Sequence, residues 1–142
     1  MRVLAIDPGS KRLGIAISDP TSTIARPLKV IQHVSRQSDA SQIAELASEQ
    51  EVGLIIVGQS LDDNGEPTFE GRRAVRLAAA IRTQTEIPVE LWDEYFSTQN
   101  AQSLQPRSRS PKRKRYDHVD DLAASIILQS YLDSQTSEQS KP

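Results

Sequence analysis

A chain of 142 residues, 37% hydrophobic and 25% charged, is sized for one domain with a real core. It has no cysteine, which excludes disulfides and thiolate zinc sites, and its two histidines, His33 and His118, argue against a multi-histidine metal centre. The formal charge of −2 hides an asymmetry: Arg107, Arg109, Lys112, Arg113, Lys114 and Arg115 share one acid-free stretch, and without them the rest carries −8.

In chain order, Arg2 to Ile6 is a short apolar run with apolar side chains on both faces, as in a central strand of a covered sheet. Asp7-Pro8-Gly9-Ser10 turns the chain, and Leu13 to Ser18 returns as an antiparallel strand. Arg26 to Val34 reads as a third strand, with Pro27 marking a start or edge. Ser38 is placed to cap a helix running to about Gln50, with Ala40, Ile43, Ala44, Leu46 and Ala47 inward and Gly53 as its stop. Leu54 to Val57 is a continuous apolar strand bounded by Gly58. After a polar loop, a second helix over Phe69 to Thr85 presents Ala74, Val75, Ala78 and Ile81 inward and leaves Arg72, Arg73, Arg76 and Arg82 solvated. Ile87-Pro88 opens a fifth strand, Val89 to Trp92, ending in Asp93-Glu94, and Ser97 can cap a short helix through Leu104. Gln105 to Tyr116 has almost nothing to bury and reads as a loop. A last helix over His118 to Asp133 carries Leu122, Ala123, Ile126, Ile127 and Tyr131, and residues 134–142 read as a disordered tail. The expectation is an α/β domain over residues 1–133: a five-stranded sheet mixing antiparallel and parallel pairs, flanked by helices.

This order puts acids at element ends along one edge of the sheet. Asp7 ends the first strand, Glu94 ends the fifth beside Asp93, and Asp120 lies in the first turn of the last helix beside Asp121. A carboxylate at the end of a buried strand is costly without a cation or basic partner. Gly9 and Gly14 keep the backbone bare around Asp7, so phosphate or metal can approach. Any metal must be held by carboxylates, which points to Mg²⁺ or Mn²⁺. Acids gathered this way suit phosphodiester hydrolysis by in-line attack. Taken singly, each has an ordinary reading as a turn residue, an arginine partner or a favourable charge at a helix start.

Four segments resemble the YqgF/RuvX family, in order and at similar spacing: Asp7 to Asp19, Ile55 to Asp62, Leu91 to Thr98 and Val119 to Asp133. The resemblance implies an RNase H-like fold and a metal-dependent nuclease that processes the 5′ end of pre-16S rRNA. It places the family's acids on Asp7, Glu94 and Asp120, as metal ligands and catalytic residues, and its basic turn residues on Lys11 and Arg12, as phosphate contacts. Tyr95 departs from the family's usual arginine, and Gln59-Ser60 from its usual Leu-Pro. Arg109, Lys112, Arg113, Lys114 and Arg115 fall in the family's variable loop, where a polyanionic backbone would meet them. Structured RNA and branched DNA are both credible substrates, and cutting a four-way junction would need a homodimer.

Two rivals remain. An aspartate-glycine hairpin also opens actin-like ATPases and sugar kinases, but those enclose ATP between two such domains. A nucleic-acid-binding module that lost its chemistry is the second, and Tyr95 is its best support. With no apolar run of about 20 residues and no basic-then-apolar leader, neither membrane insertion nor export is expected, and the cytoplasm is the expected compartment.

Overall fold

The structure, a computed structural model, describes residues 1–94 and 116–139, without the side chains of 116–121 and 137–139. Its elements run β1 (Arg2–Pro8), β2 (Arg12–Ser18), β3 (Ala25–Gln32), α1 (Arg36–Glu49), β4 (Val52–Gln59), α2 (Phe69–Arg82), β5 (Val89–Asp93) and α3 (Tyr116–Gln139). They form one five-stranded sheet in the order β3-β2-β1-β4-β5. β1, β2 and β3 pair antiparallel, whereas β1 with β4 and β4 with β5 pair parallel. The mixed sheet read from the sequence is therefore the one that forms, with β1 at its centre.

Helices cover both faces, and strand alternation decides which residues each receives. Leu4, Ile6, Ile15, Ile17, Ile55 and Val57 face α1 and α2, where they meet Ile43, Leu77 and Ile81. Val3, Ala5, Ala16, Leu54 and Ile56 face α3 and meet Ala124, Ile127, Leu128 and Leu132. Small residues on β1 and β2 let α3 lie close to the sheet. Gln129 ties that helix to the sheet's edge: its Oε1 accepts from Ala25 N–H at 2.9 Å and its Nε2 donates to the Thr23 carbonyl at 3.0 Å.

Several local expectations are corrected. The α1 cap is Ser35, whose hydroxyl accepts from the Ser38 N–H at 3.1 Å; Ser38 already lies inside the helix. The turn after α1 is made by Glu51, at φ 57°, and Gly53 lies within β4, against the Met1 side chain. On α2, Leu77 turns inward and Val75 is 36% exposed, because the apolar stripe is displaced by part of a turn. Arg82 is not simply solvated, since its Nε and Nη2 donate to the Val89 carbonyl at 3.2 and 2.7 Å. On α3 the buried stripe is Ala124, Ile127, Leu128 and Leu132, while Leu122 is 51% exposed. That helix also runs on to Gln139, so residues 134–139 are helical where a disordered tail was expected. The hydroxyls of Ser134 and Thr136 bond back to the carbonyls of Tyr131 and Leu132, so these polar side chains are satisfied within the helix. The helix expected from Ser97 to Leu104 lies outside the described residues.

Leu128 is fully buried between α3 and the sheet. Leu128→Ala is expected to cost about 2–5 kcal/mol in urea unfolding, the usual range for such a cavity. A loss below about 1 kcal/mol would show that α3 is not anchored there.

Candidate acidic site

Because β1, β4 and β5 run parallel, their carboxyl ends share one edge of the sheet. Register pairs Ile6 with Val57 and Gly58 with Trp92. Stepping by twos from Val3, Ala5 and Ile56, alternation carries Asp7 and Gly58 onto the α3 face, and Glu94, the residue after β5, meets Gly58 there. On the other side of Asp7, its partner across β2 is Gly14. The acid at the end of the central strand thus has a glycine on each neighbouring strand.

Gly58 has a specific use. A β-carbon there would lie 2.8 Å from Ile127 Cδ1, 3.0 Å from Glu94 Oε2 and 3.2 Å from Glu94 Cγ. The space a side chain would fill is taken by Glu94, which reaches back over β4 toward β1, and by Ile127 of α3. The position of α3 is set nearby by Trp92, whose indole N–H donates to Ser130 Oγ at 2.8 Å. Ser130 in turn donates to the Ile127 carbonyl at 2.8 Å, and the Trp92 and Tyr131 rings meet edge to face at 5.2 Å. The strand that presents Glu94 is therefore clamped to the helix that bounds it.

Glu94 and Asp7 meet in a side-chain hydrogen bond. Two carboxyl groups can bond this way only with a proton between them. Burial pushes the Glu94 carboxyl above its ordinary range, the charges of Asp93 and Glu70 add to that, and the bond with Asp7 opposes it. Of the adjacent pair Asp93 and Glu94, it is Glu94 that meets Asp7.

The other nominated residues divide. Arg12 opens β2 and falls by alternation on the same face as Asp7; Lys11 is exposed in the adjoining turn. Asp120 lies within α3, seven residues before Ile127, and its side chain is outside the described set. Tyr95, Arg109, Lys112, Arg113, Lys114 and Arg115 are also outside the described residues. Among the described residues no group of three or more acids or histidines gathers to hold a metal. Gln59 and Ser60, where the family has Leu-Pro, close the loop before α2: Ser60 Oγ lies 2.6 Å from the hydroxyl of Thr68, the α2 cap. Gly58 and Glu70 were missed as parts of this site. Gly58 read as a strand boundary, and only the β1–β4 register reveals it beside Asp7.

The raised Glu94 value fixes a sign. Its protonated form is favoured in the fold, so its contribution to stability is full below the ordinary value of 4.5 and is lost as pH rises through the higher folded value. In chelator, wild type is expected to lose thermal stability from about pH 4.5 upward, and Glu94→Gln to lose less. Melting curves across pH check this; parallel curves for the two proteins would contradict it.

Comparison with known proteins places this chain in a family. The RuvX family model, described as Holliday junction resolvase, matches residues 1–134. A protein of Thermoanaerobacter pseudethanolicus named "Putative pre-16S rRNA nuclease" is 40% identical over 136 residues, covering 95% of this chain and 98% of the relative. One of the same name from Syntrophus aciditrophicus is 38% identical over 139 residues, covering 98% and 93%. Among solved structures, T. thermophilus RuvC in complex with a Holliday junction substrate superposes with a TM-score of 0.62 at 15% identity, covering 96% of each chain. The Fowlpox virus resolvase with Holliday junction DNA gives 0.55 at 15% identity, covering 95% of this chain and 99% of that one. These likenesses identify the fold as RNase H-like, and with a family model matching residues 1–134 the chain belongs to the RuvX family.

Proposed function

We propose that this protein is a metal-dependent nuclease that hydrolyses phosphodiesters of structured RNA, and that its substrate is the 5′ end of pre-16S rRNA. The observation that carries the reading is the Asp7–Glu94 carboxyl pair, closed over Gly58 at the sheet's carboxyl edge. Two carboxyl groups in contact at a half-buried strand end are costly to hold together, and a bound cation would offset that cost. The relatives' names supply the substrate.

The donor set suits a hard divalent cation. The pair offers carboxylate oxygens alone, and the chain has no cysteine to favour a softer metal. Asp7 and Glu94 would hold Mg²⁺ or Mn²⁺ between their carboxylates. Asp120, on the helical turns leading to Ile127, is the third ligand we assign from the family pattern. A cation bound there supplies Lewis-acid activation of water and neutralises charge developing on the phosphate. Within the chain, Gly58 and Gly14 leave room beside Asp7, and Arg12 places a positive charge on the same face for a phosphate oxygen. Water adds to phosphorus, the P–O3′ bond breaks, and the products carry a 5′-phosphate and a 3′-hydroxyl. Lys11 and the arm of Arg109, Lys112, Arg113, Lys114 and Arg115 hold the backbone by charge, independent of sequence.

Branched DNA is the second reading, favoured by the description of the family model and by the likeness to two junction-bound resolvases. It requires a symmetric pair of copies. Cleavage of pre-16S leader RNA and a four-way junction, side by side with and without Mg²⁺, decides between them.

Asp7→Asn and Glu94→Gln are each expected to abolish Mg²⁺-dependent cleavage, and Asp7→Asn to erase the rise in melting temperature that Mn²⁺ gives wild type. Unaltered cleavage by Asp7→Asn would refute the assignment. The atoms nearest a Gly58→Ala β-carbon belong to the side chains of Ile127 and Glu94 and not to backbone, so the fold should persist. By moving the Glu94 carboxyl, it should still lower turnover by about 100-fold, the usual effect of an ångström's misplacement. Turnover within twofold of wild type would count against the role given to Glu94.

A further inference from the structure

The same edge of the sheet carries a second feature on its opposite face. A recess of about 390 Å³ opens there, beside Pro8 and Gly9 of the first turn. Three guanidinium groups line it: Arg36 at the start of α1, and Arg73 and Arg76 from successive turns of α2. Its one acid, Asp39, is 2% exposed and already engaged, taking hydrogen bonds from the Val34 N–H at 3.1 Å and His33 Nδ1 at 2.5 Å. Glu70 lies 3.8 Å from Arg73, a surface contact too long and too exposed to neutralise it firmly. Phe69 also lines the recess, and it is 74% exposed.

An exposed aromatic ring beside clustered arginines is the combination that single-stranded nucleic acid uses: a π-face for a base and forked donors for a phosphate. The position strengthens the argument. Asp7 and Pro8 are consecutive, so alternation sends one to the acidic site and the other to this recess. A strand crossing the turn between β1 and β2 would have one phosphodiester at the acids and its neighbours at the arginines.

We propose that this recess is a subsite for an unpaired nucleotide flanking the bond that is cut, its base stacked on Phe69 and its phosphate held by Arg73, Arg76 and Arg36. This rests on the nuclease reading, but its test reads binding rather than cleavage. The probe is a fluorescein-labelled single-stranded RNA oligonucleotide, followed by anisotropy in EDTA over a range of salt. The variant Arg73→Gln/Arg76→Gln is expected to bind at least tenfold more weakly, with a salt slope shallower by about two. Phe69→Ala should weaken binding severalfold without changing the slope, and Phe69→Trp should restore it. Ultraviolet cross-linking of wild type, which needs no variant to fold, should place the RNA on the peptide containing Phe69. Equal affinity and slope for the double variant, or cross-links only elsewhere, would overturn the proposal. So would a free mononucleotide binding wild type as tightly as the oligonucleotide. Loss of cleavage in all variants, wild type included, would instead refute the nuclease reading and leave the binding result standing.

Discussion

The parallel pairing of β1, β4 and β5 is the constraint on which the molecule depends. It lines up three strand ends on one edge, and the two-residue alternation of strands then decides which side chains share a face. Asp7 and Gly58 share a face for that reason, and Glu94 reaches them from the residue after β5. A shift of one residue in the β4 register would replace Gly58 beside Asp7 with Val57 or Gln59 and close the space Glu94 occupies. The Trp92–Ser130–Ile127 chain of contacts works against such a slip by fixing β5 to α3.

Bringing two carboxyl groups together is unfavourable unless something positive lies between them. Burial pushes the Glu94 carboxyl above its ordinary range, the charges of Asp93 and Glu70 add to that, and the bond with Asp7 opposes it. The energy for that arrangement comes from the apolar layers on both faces, where Ile6, Ile15, Ile55 and Ile56 are fully buried. Around β1 the sheet edge is polarised: acids face α3, and arginines from α1 and α2 gather on the other side. A polyanion meeting this edge finds attraction beside the place where its own charge would otherwise be repelled.

Much of this was legible in the sequence. Apolar runs ending at Asp7 and Trp92, and the Asp-Pro-Gly turn, were enough to anticipate a mixed sheet with β1 inside it and an edge shared by Asp7 and Glu94. Helix faces were read less well. On α2 and α3 the small and branched residues permit several stripes, and contact with the sheet selects Leu77, Ala124 and Leu128 over Val75 and Leu122. Gly58 was beyond reach, because its role exists only across strands. The arginine recess was hidden likewise: Arg73 and Arg76 read as solvated charges, and only the packing of α1 beside α2 brings Arg36 to them.

The central claim is that Asp7 and Glu94 are brought together to share a cation. Anomalous diffraction from crystals grown with Mn²⁺ tests it most directly. The account predicts a manganese peak within coordination distance of both carboxylates, with Asp120 completing the set. A map with no peak at that edge, or manganese bound out of reach of Asp7 and Glu94, would contradict it.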